Sequence, residues 1–123
     1  MFGWFKKKEI EVTNKDEFIL TMTRIVELLH ANKHAPQAFA VQEPLQYLIA
    51  NDKNNFLKSL NTVDIWGGSG AAWEVGVFRT KKDEREFMEC FIRLVELMKE
   101  IGVSHYAAKR VAILFREDLL KTE

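Results

Sequence analysis

Three of the chain's six glycines fall within four positions, Gly67-Gly68-Ser69-Gly70. Glycine-rich loops can turn backbone N–H groups toward a phosphate. A nucleotide P-loop also needs a Lys followed by Ser or Thr directly after the glycines, but here Ala71-Ala72 follow. The glycine spacing of a dinucleotide-binding turn is absent as well. Two readings remain: a tight inter-helix corner where backbones approach closely, and an exposed tip that meets a partner. Trp66 and Trp73 flank the loop. Tryptophan is enriched at the energetic centres of protein interfaces and is also an ordinary core residue. At least one of the two is expected to be structural.

The other reactive residue types are sparse. His30 and His34 would share a face on a continuous helix, with Glu27 three positions before His30. A carboxylate-bundle metal site needs a second Glu-x-x-His and further glutamates, and no second copy exists, so no metal is expected. Cys90 falls on the apolar side of a helical pattern with no base assigned to it, which reads as inert core. No Ser-His-Asp arrangement is readable, and the paired carboxylates read as a solvated helix face. There is no positive case for an enzyme, and no cofactor is implied.

The segment Leu97 to Val111 has the look of a helix-turn-helix corner. Gly102-Val103-Ser104 forms the turn, and His105, Tyr106, Lys109 and Arg110 head the second helix. Against a DNA-binding reading, the preceding helix is long. It also carries Asp83, Glu84, Glu86, Glu89, Glu96 and Glu100 against Arg85, Arg93 and Lys99.

The elements that must hold these groups are helical. A capping box of Asn14 and Glu17 opens a first helix whose stripe is Phe18, Ile19, Met22, Ile25, Val26 and Leu29, ending near Ala31 with Pro36 as its stop. A weaker second helix starts firmly near Glu43, because Pro44 suits a first turn, and carries Leu45, Leu48 and Ile49. Residues 35–41 read as a separate turn. Asp52 caps a third helix with Phe56, Leu57, Leu60 and Val63 facing inward. Val75, Val77 and Phe78 suit a short strand or helical turn. The last third is a helical hairpin. Its first helix opens on an Asp83–Glu86 capping box, carries Phe87, Phe91, Leu94, Leu97 and Met98, and stops at Gly102. Its second is capped by Ser104, with Val103 as staple, and carries Ala107, Val111, Leu114 and Phe115. The expectation is one all-α domain over residues 1–123, of about five helices with a Gly-rich corner before the hairpin. Residues 1–12 form a tail or short extended piece, in which Phe2, Trp4 and Phe5 precede Lys6 to Lys8.

Composition limits the function classes. Eighteen Lys and Arg balance eighteen Asp and Glu, so no overall field favours nucleic acid. Apolar residues make up 47% and charged residues 29%, which places the chain among globular proteins and away from disorder. No apolar run reaches the length of a membrane span, and no apolar stretch follows the basic start as a secretory signal would require. A single cysteine suits a reducing cytoplasm.

Trp66-Gly67-Gly68-Ser69-Gly70-Ala71-Ala72-Trp73-Glu74-Val75, with a helix before it and a long hairpin after it, resembles a group of small bacterial all-α proteins. These share a W-G-G-S-G-A-x-W-E motif, and some resemble immunity proteins encoded beside secreted antibacterial toxins. The resemblance implies a cytoplasmic, non-enzymatic protein that silences a cognate toxin by occluding its active site. Asp64, Trp66, Ser69, Trp73 and Glu74 are the expected contact residues. Balanced charge suits an NAD-consuming, nucleotide-modifying or cell-wall toxin better than a nuclease. The alternatives are a small helix-turn-helix DNA-binding protein and a self-associating helical scaffold.

Overall fold

The computed structural model describes residues 9–121, so the aromatic and lysine-rich start lies outside the described residues. The protein is all-α. Five helices have eight residues or more: α1 (Lys15–Ala31), α2 (Ala35–Ile49), α3 (Lys53–Leu60), α5 (Lys81–Glu100) and α6 (Tyr106–Lys121). A single turn, α4 (Val63–Trp66), and a 3-10 turn (Ala72–Glu74) shape the corner before α5. There is no strand among the described residues, and residues 75–78 run without regular structure. Ile10 and Val12 pack against the core, while Glu9 and Glu11 both reach Lys53. No helix among the described residues is long and apolar enough to cross a membrane.

Each helix packs mainly on its neighbour in sequence, except that α5 returns to lie against α1. The expected stripes supply the core: Phe18, Met22, Ile25 and Leu29 from α1, and Phe87, Phe91, Leu94, Leu97 and Met98 from α5, all essentially inaccessible. Aromatic rings run through its centre. Phe78 meets Phe87, Phe87 meets Phe91, and Phe91 receives Trp66 edge-on at 5.6 Å and Phe115 at 6.0 Å between centroids. Ile49 and Val63 do not join this core; they are 56% and 77% exposed.

Several ends differ from the sequence expectation. Helix α2 is continuous from Ala35, with Pro36 in its first turn and Pro44 in its interior. Pro36 therefore opens α2 instead of merely halting α1, which agrees with the preference of proline for a helix start. Asn14 makes no cap hydrogen bond. Its side-chain amide crosses to α5, donating to the Leu97 carbonyl and to Glu100. The cap of α5 is Thr80, which accepts from the Asp83 N–H at 3.0 Å, so the helix is capped three residues earlier than the expected Asp83. Helix α6 is capped by His105, whose Nδ1 accepts from the Ala108 N–H, while Ser104 receives the Lys109 amine. Asp52 caps α3 as expected, at 3.3 Å from the Asn55 N–H.

Three helices end in the same way. A residue with positive φ follows the helix, and the next N–H reaches back to the carbonyl of the last turn. At Gly102 this is the expected glycine stop, with Val103 N–H bonded to the Met98 carbonyl. Lys33 and Asn51 hold the same left-handed conformation at the ends of α1 and α2, with His34 N–H on Leu29 and Asp52 N–H on Tyr47.

The turn after α1 also sets where α5 begins. Asn32 is only 7% exposed. Its amide donates to the Leu28 carbonyl and to Asp83, and its oxygen accepts from the Arg79 N–H at 2.7 Å. His34 Nε2 donates to the Val77 carbonyl, also at 2.7 Å. The irregular segment ahead of α5 thereby finds in side chains the partners that a strand would have found in backbone.

Candidate functional site

The Gly-rich corner is built outward from Trp66. This residue closes α4, is 3% exposed, and donates its indole N–H to the Leu60 carbonyl at 2.7 Å. Gly67 comes next because nothing larger fits: a Cβ there would stand 2.5 Å from the Val63 carbonyl oxygen. The chain turns back through an Ala71 N–H bond to the Gly68 carbonyl, and Gly70 takes a φ of 87° that side chains rarely adopt. Gln37 of α2 donates to the Gly70 carbonyl, which ties the corner to the helix layer. Ala71 and Ala72 are buried, and Trp73 donates to the Gly67 carbonyl at 2.6 Å.

The expected contact residues fall into two groups. Trp66 is core, and it acts on any partner only through the loop it holds. Trp73 is half-buried, with its ring on Phe115 at 6.2 Å. Asp64, Ser69 and Glu74 are exposed; Asp64 lies on α4 and Glu74 on the 3-10 turn packed against it. Sequence spacing alone did not bring α6 to this corner. Tyr106, Ala107, Arg110, Val111 and Leu114 face Trp66 and Trp73 across a groove of about 290 Å³. Tyr106 is 77% exposed, and Arg110 is exposed beside it. The outward side of α6 was legible as a helix face, but not its neighbour across the groove.

The residue types with catalytic potential are otherwise engaged. His34 lies beyond the end of α1, so it does not share a helix face with His30, which stacks on Phe39 and meets Gln42. His105 caps α6 and lies beside Trp66, which leaves Tyr106, Lys109 and Arg110 as the exposed start of that helix. Cys90 is half-buried between α1 and α5. Burial pushes its thiol up to about 11, and the negative charge of Glu86 adds to the shift. Among the described residues, no group of three or more His, Cys, Asp or Glu could hold a metal ion. Comparison with protein-family models, with curated proteins and with solved structures finds no match.

Proposed function

We propose that this chain is a non-enzymatic binding protein that neutralises a cognate antibacterial toxin in the cytoplasm by covering its active site. The observation that carries the reading is the groove where Trp73, Tyr106 and Arg110 stand together beside Leu114. These three residue types concentrate binding energy when a partner desolvates them, and the groove has the apolar floor that such anchors need. Asp64 and Glu74 add an exposed acidic margin on the same corner. Such a margin favours a basic rim on the toxin and speeds encounter more than it deepens affinity. The resemblance of the Trp66–Val75 motif to immunity-protein-like sequences supplies the class of partner.

Co-expression with the product of the adjacent open reading frame tests this reading. The expected result is a stoichiometric complex that restores growth, and Asp64→Arg with Glu74→Arg slows its association without moving the far-ultraviolet dichroism or the Tm. A folded protein that captures no neighbour would remove the toxin reading. A complex indifferent to both substitutions would move the docking surface elsewhere.

A further inference from the structure

Helix α6 separates two grooves. One flank faces Trp73 across the groove already described. The other flank faces α5 across a cleft of about 430 Å³, a volume typical of small-molecule sites. The two grooves share no residue. The floor of the second cleft is apolar: Val95 from α5, and Ala112 and Ile113 from α6. Ala112 is buried, Val95 is half-buried and Ile113 is exposed.

Cations ring this floor. Lys99 comes from α5, and Lys109 and Arg116 come from α6. The last two lie seven residues apart, which is about 10 Å along the helix. Glu96 is the only carboxylate in the lining, and two arginines share it, Arg93 and Arg116, each at 3.4 Å. Both contacts are longer than an ordinary hydrogen bond, so most of the Arg116 fork stays open. Lys109 donates to the Ser104 hydroxyl, a neutral acceptor, and Lys99 meets no carboxylate among the described residues. Glu89, Glu100, Glu117 and Asp118 lie outside the lining, as do Arg93 and Arg110. Three cations against one shared carboxylate leave the cleft positive, in a chain whose formal charge is zero. The helix dipole does not explain Lys109, because it disfavours a cation near the start of α6.

We propose that this cleft binds a small amphiphilic anion. Its carboxylate or phosphate lies among Lys99, Lys109 and Arg116, and its apolar body lies along Val95, Ala112 and Ile113. The guanidinium fork suits either oxyanion, and the lysines add point charges. The floor removes apolar surface from water, a gain that a bare inorganic anion cannot make.

Titration of the isotope-labelled whole protein with decanoate and with decyl phosphate, both below their micellar concentrations, tests the proposal by amide shifts. The expected result is saturable shifts at Val95, Ala112 and Ile113. Acetate, inorganic phosphate and decanol each lack one of the two contacts and bind more weakly, by about tenfold or more. Lys109→Gln with Arg116→Gln weakens decanoate by about tenfold with the dichroism unchanged. Tighter binding of decanoate assigns a carboxylate ligand, and tighter binding of decyl phosphate a phosphorylated one. Decanol that binds as tightly as decanoate overturns the proposal, because the cations then play no part. So does a short polyglutamate that binds as tightly, which would put an acidic protein segment in the cleft. An absence of shifts, shifts confined to the Trp73 groove, or indifference to the double substitution overturns it as well. None of these readouts involves a toxin, so this proposal and the proposed function fail separately.

Discussion

The Trp73 indole nitrogen donates to the Gly67 carbonyl at 2.6 Å, and the Trp66 indole donates to the Leu60 carbonyl at 2.7 Å. Each tryptophan reaches back six residues and satisfies a carbonyl left open where the chain bends. Gly67 serves this arrangement twice. Its carbonyl receives Trp73, and its missing Cβ leaves room for the Val63 carbonyl. Most of the W-G-G-S-G-A-A-W-E segment therefore shapes the corner. The side chains it leaves accessible belong to Ser69, Glu74 and one edge of Trp73.

The glycines of the corner are predicted to be unequal. Gly67→Ala drives a Cβ onto backbone and is expected to cost about 2–3 kcal/mol. Gly70→Ala has open space but a positive φ, and should cost about 1 kcal/mol. Gly68→Ala has neither penalty and should stay within about 0.5 kcal/mol of the parent. Urea unfolding of the three variants checks the order, and a Gly68 variant weaker than the Gly67 variant would contradict it.

Lys33 ends α1 in the left-handed region, where a side chain is strained and glycine is not. Lys33→Gly is expected to raise stability by about 0.5–1 kcal/mol, and Asn51→Gly by less, because asparagine tolerates this conformation better. A rise in the urea midpoint at unchanged slope is the signature; a fall would mean that Lys33 contributes something its backbone does not reveal.

Arg24 grips Glu86 with two bonds, at 2.5 and 2.8 Å, joining α1 to α5. The Arg24 guanidinium holds the Glu86 carboxyl below its ordinary value of 4.5. A lowered folded value means that the contribution is complete above the unfolded value and is lost as pH falls through the lowered one. Both side chains are about a third exposed or more, so solvent screening limits the pair to about 0.5–1 kcal/mol. Glu86→Gln should lower stability at pH 7 and converge with the parent in strong acid. A difference that persists in strong acid would point to packing as its cause.

With its thiol near 11, Cys90 carries about a hundredfold less thiolate at neutral pH than a cysteine at the ordinary value of 9. Alkylation by iodoacetamide should be correspondingly slow, and its rate should climb with pH through 9 and 10 without levelling. A rate that levels off near pH 10, as for a thiol at the ordinary value of 9, would show that the thiol is not raised.

The helices were legible because their apolar stripes are long; Phe87 to Met98 alone places α5 against a core. Their ends were less so. Thr80 and Asp83 both begin a pattern that suits a cap, and the first apolar residue, Phe87, lies too far along to choose between them. The backbone chose Thr80, and this left Glu86 free for Arg24, a partner 62 residues away that no local pattern indicates. Pro44 misplaced the start of α2 because an interior proline removes a backbone donor and is uncommon. At the corner, the residue types of Trp66 and Trp73 were visible, but their division into pin and groove wall depends on Phe91 and Phe115, which come from helices far along the chain.

The return of α5 to α1 has a consequence during biosynthesis. As the chain leaves the ribosome, α1, α2 and α3 can pack on one another in the order they appear, since each contacts its neighbour. The half of α1 that carries Arg24 waits for a helix made some sixty residues later. Translation arrested before Lys81 would leave the Phe18–Leu29 stripe without the α5 side chains that cover it. Such a fragment would be a substrate for chaperones and proteases, whereas a chain released after α6 would not.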